Sequence, residues 1–118
     1  MRYMLMIVEP RGQRTARSED ESRARYAEMI EFGQGLAARG QLVASESLRP
    51  DNHGVRVQRR GEVPTLVDGP FAEAREMVGG FYLIECASRD EAVRIAGNCP
   101  AARFATVEVR ECAPCYVQ

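Results

Sequence analysis

The segment from Asp68 to Tyr82 concentrates the side chains that could bind or transform a small molecule. Its sequence, DGPFAEAREMVGGFY, joins carboxylates, a Gly-Pro step, an aromatic residue and an Arg-Glu pair, and it runs into an apolar strand. Polar groups on a loop held by a rigid strand are a frequent setting for binding and catalysis. An arginine there can anchor an anionic ligand, and a carboxylate can exchange a proton with that ligand. The candidate ligand-binding residues are Asp68, Phe71, Glu73, Arg75, Glu76 and Tyr82.

Three of the polar side chains are candidates for proton transfer, namely Asp68, Glu76 and His53. His53 is the one histidine of the chain, and imidazole suits general-base catalysis near neutral pH, although its Asp-Asn-His-Gly setting is also typical of a turn. The Gly-Pro step after Asp68 stiffens the loop, since proline fixes its own φ and restricts the residue before it. Asp68 therefore has two interpretations: it accepts backbone amides of the turn, or it handles a proton. The Arg75-Glu76 pair is likewise either a ligand contact or a solvated or dimer-bridging ion pair.

The four cysteines are expected to be free thiols, since a cytoplasmic protein of this size rarely forms disulfides. Cys112 and Cys115 form a C-x-x-C pair, but only three residues follow it, so no helix is available to activate the first thiolate. A zinc site would need two further ligands, and the predicted topology separates Cys99 from Cys86 and Cys112. We expect no metal and no cofactor.

Length and charge restrict the class of protein. A chain of 118 residues suits one domain, 1–118, with a core of its own. A net charge of -1 favours neither nucleic acid nor an anionic membrane surface as a partner. The longest apolar run, Tyr3 to Val8, is far too short to cross a bilayer and lacks the pattern of a signal peptide. A cytoplasmic protein is the expectation.

The elements that must position these side chains follow from apolar periodicity. Strands are predicted at 2–8, 41–48, 55–59, 65–67, 80–86 and 104–110, with a polar loop at 9–17. Helices are predicted at 18–39 and from 88 to about 100, and each begins with a Ser-x-x-Glu capping box. The first helix carries an apolar stripe at 3.6-residue spacing. The stripe consists of Tyr26, Met29, Ile30, Gly33, Leu36 and Ala37.

The order of these elements is β-α-β-β-α-β once the small hairpin at 55–67 is set aside, which is the ferredoxin-like α+β pattern. Two helices then cover one face of an antiparallel sheet, and the strands at 2–8 and 80–86 lie in its middle. Both strands are apolar on both faces, so the second face also needs a cover. A second copy is the simplest cover, and we predict a homodimer through the sheet faces.

Short motifs along the chain point to a family. They are RYMLMI at 2–7, SESLRP at 45–50, DGPF at 68–71 followed by Glu73 and Arg75-Glu76, GGFY at 79–82, DEA at 90–92 and VEVR at 107–110. Together they resemble the DGPF family, a branch of the YCII-related proteins, over nearly the whole chain. The resemblance implies a ferredoxin-like dimeric α+β barrel, in agreement with the order of elements.

The resemblance implies two kinds of function. Some YCII-related proteins carry a His-Asp pair with the His near the start of the first long helix, but this chain has Arg-Ala-Arg-Tyr at 23–26 and no His there. We therefore expect a ligand-binding or regulatory module, with a small anionic ligand or a sigma factor of the extracytoplasmic-function class as its partner. The alternative is an enzyme that uses loop carboxylates for acid–base chemistry in the pocket between sheet and helices.

Overall fold

The structure, a computed structural model, describes residues 1–71 and 73–118. Its strands are β1 (Arg2–Pro10), β2 (Leu42–Ser47), β3 (Val55–Gln58), β4 (Thr65–Asp68), β5 (Glu76–Glu85) and β6 (Thr106–Glu111). Its helices are α1 (Gln13–Ala16), α2 (Glu19–Ala38) and α3 (Arg89–Gly97), with short 3₁₀ turns at Asp51–His53 and Pro100–Arg103. None of the helices formed by the described residues has the length and apolar character needed to span a lipid bilayer.

Four strands form one antiparallel sheet in the order β2-β5-β1-β6, and β3 pairs with β4 in a separate hairpin. The prediction that the strands at 2–8 and 80–86 lie in the middle of the sheet is confirmed, since they correspond to β1 and β5. Without the hairpin and α1 the element order is β-α-β-β-α-β, so the chain has a mixed α+β fold consistent with the ferredoxin-like pattern.

Both long helices begin where the capping boxes predict. Ser18 Oγ accepts a hydrogen bond from the Glu21 amide at 3.2 Å, and Ser88 Oγ accepts one from the Glu91 amide at 3.1 Å. Each bond satisfies an amide that has no partner inside its helix. The residue after α2 and its C-cap is Gly40, whose φ of 72° is accessible to glycine at little cost.

The core lies between the helices and one face of the sheet, and alternation along the central strands decides which side chains enter it. Tyr3, Leu5 and Ile7 of β1 point to the helices, as do Tyr82 and Ile84 of β5. The intervening residues face the opposite side, where no helix among the described residues covers them. They are only half-buried, as at Met4, Met6, Phe81 and Leu83. The whole molecule measures 46 × 43 × 19 Å, and 19 Å is the thickness of one sheet and one helix layer.

Three boundaries differ from the sequence prediction. The segment 9–17 is not a polar loop throughout, because β1 continues to Pro10 and α1 follows it. The fifth strand begins at Glu76 rather than at position 80, since the longer β1 supplies a partner, Pro10, for its first residue. The last strand begins at Thr106 because residues 100–103 form a 3₁₀ turn.

The cysteines are all free. Cys86 and Cys99 are buried in the core, while Cys112 and Cys115 are exposed near the end of the chain. The described residues contain no group of three or more His, Cys, Asp and Glu side chains that could hold a metal ion.

Candidate functional site

A cleft of about 590 Å³ lies between α2 and the sheet. The stripe of α2 divides into two parts there. Gly33 and Leu36 are buried, whereas Tyr26 is 56% exposed and Ile30 is 44% exposed, and both line the cleft. Only part of the apolar stripe therefore packs in the core. Large apolar side chains that face an open cleft, and not the core, are typical of a ligand pocket.

Tyr82 holds α2 at its distance from β5. Its hydroxyl donates a hydrogen bond to the Met29 carbonyl at 2.7 Å, and the Phe32 ring packs edge-on against it at 5.3 Å between centroids. Gly33 allows the close approach, since a Cβ there would lie 3.3 Å from Tyr82 Cε1. Burial raises the pKa of Tyr82 far above its ordinary value of 10.0, so the hydroxyl keeps its proton and its bond. Tyr82 lines the cleft as a fixed wall.

The charged floor of the cleft is an ion pair between Glu9 and Arg14. Glu9 follows Ile7 on the inward face of β1 and is 8% exposed. Arg14 Nε lies 2.5 Å from Glu9 Oε1, while its Nη1 and Nη2 donate to the carbonyls of Leu48 at 2.7 Å and Gly79 at 3.2 Å. No donor among the described residues points at Glu9 Oε1, so this buried oxygen has a charge partner but no directed hydrogen bond. A buried acceptor in that state costs free energy unless a donor reaches it.

Gly79 makes room for this ion pair. The register between β1 and β5 shifts after Ile7, where position 79 forms a bulge. A Cβ at position 79 would collide with Glu9 Oε2 and lie 2.7 Å from Arg14 Nη2. The glycine thus accommodates the close approach of two side chains, which is a common reason for glycine inside a strand.

Two further arginines surround Phe104 at another side of the cleft. The guanidinium carbon of Arg17 lies 4.7 Å from the ring centroid and that of Arg25 lies 5.2 Å from it. Gln13 Nε2 donates to the Phe104 carbonyl at 2.6 Å and so ties this residue to α1. Arg17, Arg25 and Phe104 all line the cleft.

The predicted site residues lie elsewhere, with one exception. Tyr82 alone of the predicted residues is part of the cleft lining that the described residues form. Asp68 ends β4, and Glu73, Arg75 and Glu76 are exposed. His53 is exposed in a 3₁₀ turn, with Nδ1 3.4 Å from Arg49 Nη1. Neither Asp68 nor Glu76 is among the described residues that line the cleft between sheet and helices, and the hypothesis that one of them transfers protons stays a prediction. A ligand role outside the cleft also stays a prediction.

The DGPF segment is a connector between the hairpin and the sheet. Arg11 Nη1 donates to the carbonyls of Phe71 at 3.2 Å and Ala74 at 3.1 Å, and its Nε lies 3.3 Å from Asp51 Oδ2. The Arg56 guanidinium lies 3.7 Å from the centre of the Phe71 ring. These contacts fasten the segment to β1, to the 3₁₀ turn and to β3, which gives it a structural role beside any chemical one.

Sequence reasoning missed the residues that line the cleft and carry charge. Glu9 had a readable signal, since it continues the alternation of Tyr3, Leu5 and Ile7 onto the buried face. Gly79-Gly80 inside a strand was a second signal, as paired glycines there mark close approach. Arg14, Arg17 and Arg25 had none, because their positions depend on how α1 and α2 cross the sheet.

Comparison with known proteins agrees with this geometry at the level of fold and family. The family model for the YCII-related domain matches residues 1–115. An uncharacterized protein of Rhizobium meliloti (strain 1021) is 30% identical over 96 residues, which cover 81% of this chain and 77% of that protein. A similar solved structure is 5-chloro-2-hydroxyhydroquinone dehydrochlorinase (TftG) from Burkholderia phenoliruptrix AC1100 in complex with 2,5-dihydroxybenzoquinone. Its TM-score is 0.56 at 19% identity, over 96% of this chain and 94% of that one.

Proposed function

Since this chain belongs to the family of YCII-related domains, we propose that it binds a small organic molecule in the cleft between α2 and the sheet. The observation that carries the proposal is the combination of exposed apolar walls with a buried acceptor to which no residue in 1–71 or 73–118 donates a directed hydrogen bond. Tyr26 and Ile30 form the walls, and Glu9 Oε1 is the acceptor.

The cleft has the size and lining of a small-molecule site. About 590 Å³ falls within the range of roughly 300–1,000 Å³ found for such pockets. A ligand that covers the exposed halves of Tyr26 and Ile30 gains about 1 kcal/mol from each, since full burial of such a side chain is worth about 1.5–3 kcal/mol. Hydrophobic contact therefore supplies affinity, and the polar groups supply orientation.

Glu9 selects for a ligand that donates a hydrogen bond. An ionised carboxylate accepts bonds at either oxygen and donates none. Oε2 sits beside Gly79 and Oε1 beside Arg14, so a hydroxyl or N–H group of the ligand that reaches Oε1 completes its bonding. The dehydrochlorinase of similar fold was solved with a dihydroxylated ring, which supports hydroxylated rings as the first probes.

The test compares hydroquinone with 1,4-dimethoxybenzene, which has the same ring but no donor. Titration calorimetry on the wild type should show tighter binding of hydroquinone. Glu9→Gln should weaken hydroquinone by about tenfold, because a bond to a charged acceptor is worth about 1.5–3 kcal/mol, and should leave dimethoxybenzene unchanged. Glu62→Gln, an exposed position in the hairpin turn, is the matched control. Equal hydroquinone affinity in Glu9→Gln and wild type would contradict the assignment of Glu9.

Catalysis is a second candidate function, and Glu9 is the observation that favours it. A buried carboxylate with an unfilled acceptor oxygen, next to an apolar cleft, is placed as a general base requires. This proposal moves acid–base chemistry from the loop carboxylates to β1. Turnover of a hydroxylated ring that disappears in Glu9→Gln and persists in Asp68→Asn and Glu76→Gln would support it, and turnover lost in the loop variants alone would refute it.

We also propose that a second copy covers the open face of the sheet. Met4, Met6, Phe81 and Leu83 form an apolar centre on that face, and two-fold homodimers are the commonest assemblies. Sedimentation at micromolar concentration should give a dimeric mass, and Met6→Glu should give a monomer because it places a charge at the centre of the face. A wild-type monomer would refute this proposal. The sigma factor expected from the family resemblance stays a prediction.

A further inference from the structure

The cleft is lined by more arginines than carboxylates. Its lining includes Arg14, Arg17 and Arg25 but two acidic residues, Glu9 and Glu46. Arg14 is paired with Glu9. Arg17 has no carboxylate within ion-pair distance among residues 1–71 and 73–118, and its guanidinium lies over the Phe104 ring. A half-buried arginine without a counter-charge favours an anion beside it.

Arg25 adds donors at the same place. Its Nη1 lies 3.2 Å from Glu28 Oε1, and Glu28 is shared with Arg103, so Arg25 keeps donors that no carboxylate occupies. Arg25 follows Ser22 by three residues on α2, which puts both side chains on one helix face, and Ser22 also lines the cleft. A guanidinium, a hydroxyl and a second guanidinium thus surround one end of the cleft.

Phe104 fixes where these cations lie. Both guanidiniums are within 4.7 and 5.2 Å of its ring centre, a range in which the ring attracts a cation. The backbone of Phe104 is itself held to α1 by the bond from Gln13 Nε2 to the Phe104 carbonyl. The two arginines are therefore positioned before any ligand arrives, which lowers the entropy lost on binding.

We propose that Arg17 and Arg25 form an anion subsite, and that the ligand of the cleft is a hydroxylated aromatic or cyclic carboxylic acid. This inference rests on the proposed function and specifies its ligand class. The ring lies against Tyr26 and Ile30, the hydroxyl donates to Glu9, and the carboxylate accepts from Arg17 and Arg25. The ligand then completes both sets of polar groups that the protein leaves unfilled.

The experiment measures binding of 2,5-dihydroxybenzoate and of hydroquinone, which differ by the carboxylate, to the wild type and to Arg17→Gln. We expect the acid to bind the wild type about tenfold more tightly than hydroquinone, as a charge-assisted hydrogen bond predicts. Arg17→Gln should remove this preference and leave hydroquinone affinity unchanged, while Arg17→Lys should restore part of it. Arg60→Gln, at an exposed turn of the hairpin, is the control of equal charge change.

The outcomes separate this inference from the proposed function. Equal affinity for acid and hydroquinone in the wild type, or an Arg17→Gln variant that keeps the preference, overturns the anion subsite and leaves the cleft as a site for neutral rings. Equal weakening of both probes in Arg17→Gln also overturns it, because the arginine would then act on the shape of the cleft alone. Binding of neither probe overturns both proposals.

Discussion

Replacing Gly79 with alanine should destabilise the protein, because this buried position of β5 lies against the ion pair of Glu9 and Arg14. The added methyl group meets the carboxylate of Glu9 and the guanidinium of Arg14, and it would lie 2.8 Å from Glu9 Cδ. Ordinary contacts of a Cβ are 3.4–4 Å. The carboxyl group must therefore move by at least ~0.6 Å, against the steep repulsive side of the van der Waals potential.

The size of the effect follows from what that movement breaks. Overpacking a buried position costs about 1–3 kcal/mol. Displacing Arg14 also removes its hydrogen bond to the Gly79 carbonyl, which is worth about 1 kcal/mol. Full rupture of the ion pair would cost about 3–5 kcal/mol, but the Arg14 side chain is 29% exposed and can follow its partner outward. We expect a loss of about 2–3 kcal/mol.

Urea unfolding at a fixed protein concentration provides the assay. The midpoint of Gly79→Ala should fall while the slope stays that of the wild type, since the surface exposed on unfolding hardly changes. Gly61→Ala is the control, because position 61 is in open space and a methyl group there should be neutral or slightly stabilising. A Gly79→Ala midpoint equal to that of Gly61→Ala would refute the close packing of Glu9 and Arg14 against β5.

Two other perturbations test the walls and the connector. Tyr82→Phe should cost about 1 kcal/mol of stability, because the hydrogen bond to the Met29 carbonyl is lost. In the wild type the pKa of Tyr82 is raised in the folded state, so the unfolded chain loses this proton first and stability falls as pH rises above the ordinary value of 10.0. Tyr82→Phe should lessen this loss of stability at alkaline pH. Thermal unfolding between pH 8 and 11 would show a parallel decline of both proteins if this were wrong. Arg11→Ala should release the carbonyls of Phe71 and Ala74, and faster amide exchange in the β3–β4 hairpin with an unchanged central sheet would confirm it.

The elements that could be predicted are those set by local pattern. The capping boxes at Ser18 and Ser88 place helix starts to within one residue, because the signal and the bond that it forms lie within four residues of each other. The central strands are equally readable, since apolar residues on both faces indicate burial in the middle of a sheet.

The candidate site could not be predicted from the sequence, for a physical reason. Whether Tyr26 packs on the sheet or faces a cleft depends on the separation of α2 from β5, and that separation is set by the contact of Tyr82 with Met29, more than fifty residues apart along the chain. The DGPF segment was misleading for a related reason. Its polar residues suggest chemistry, but Arg11, which fastens the segment, is sixty positions away from Phe71.

The short helix α1 positions side chains of the cleft without contributing a buried residue to the core. Gln13 donates to the Phe104 carbonyl and Arg14 pairs with Glu9, while Arg17, directly after the helix, has no carboxylate partner in the described part of the chain. None of the residues of α1 is buried. Changes of side chain at positions 13 and 17 can therefore alter which molecule is bound while the core stays as it is, whereas Arg14 is needed as the partner of buried Glu9. A library randomised at positions 13 and 17 would be a compact route to new ligand preferences on this scaffold.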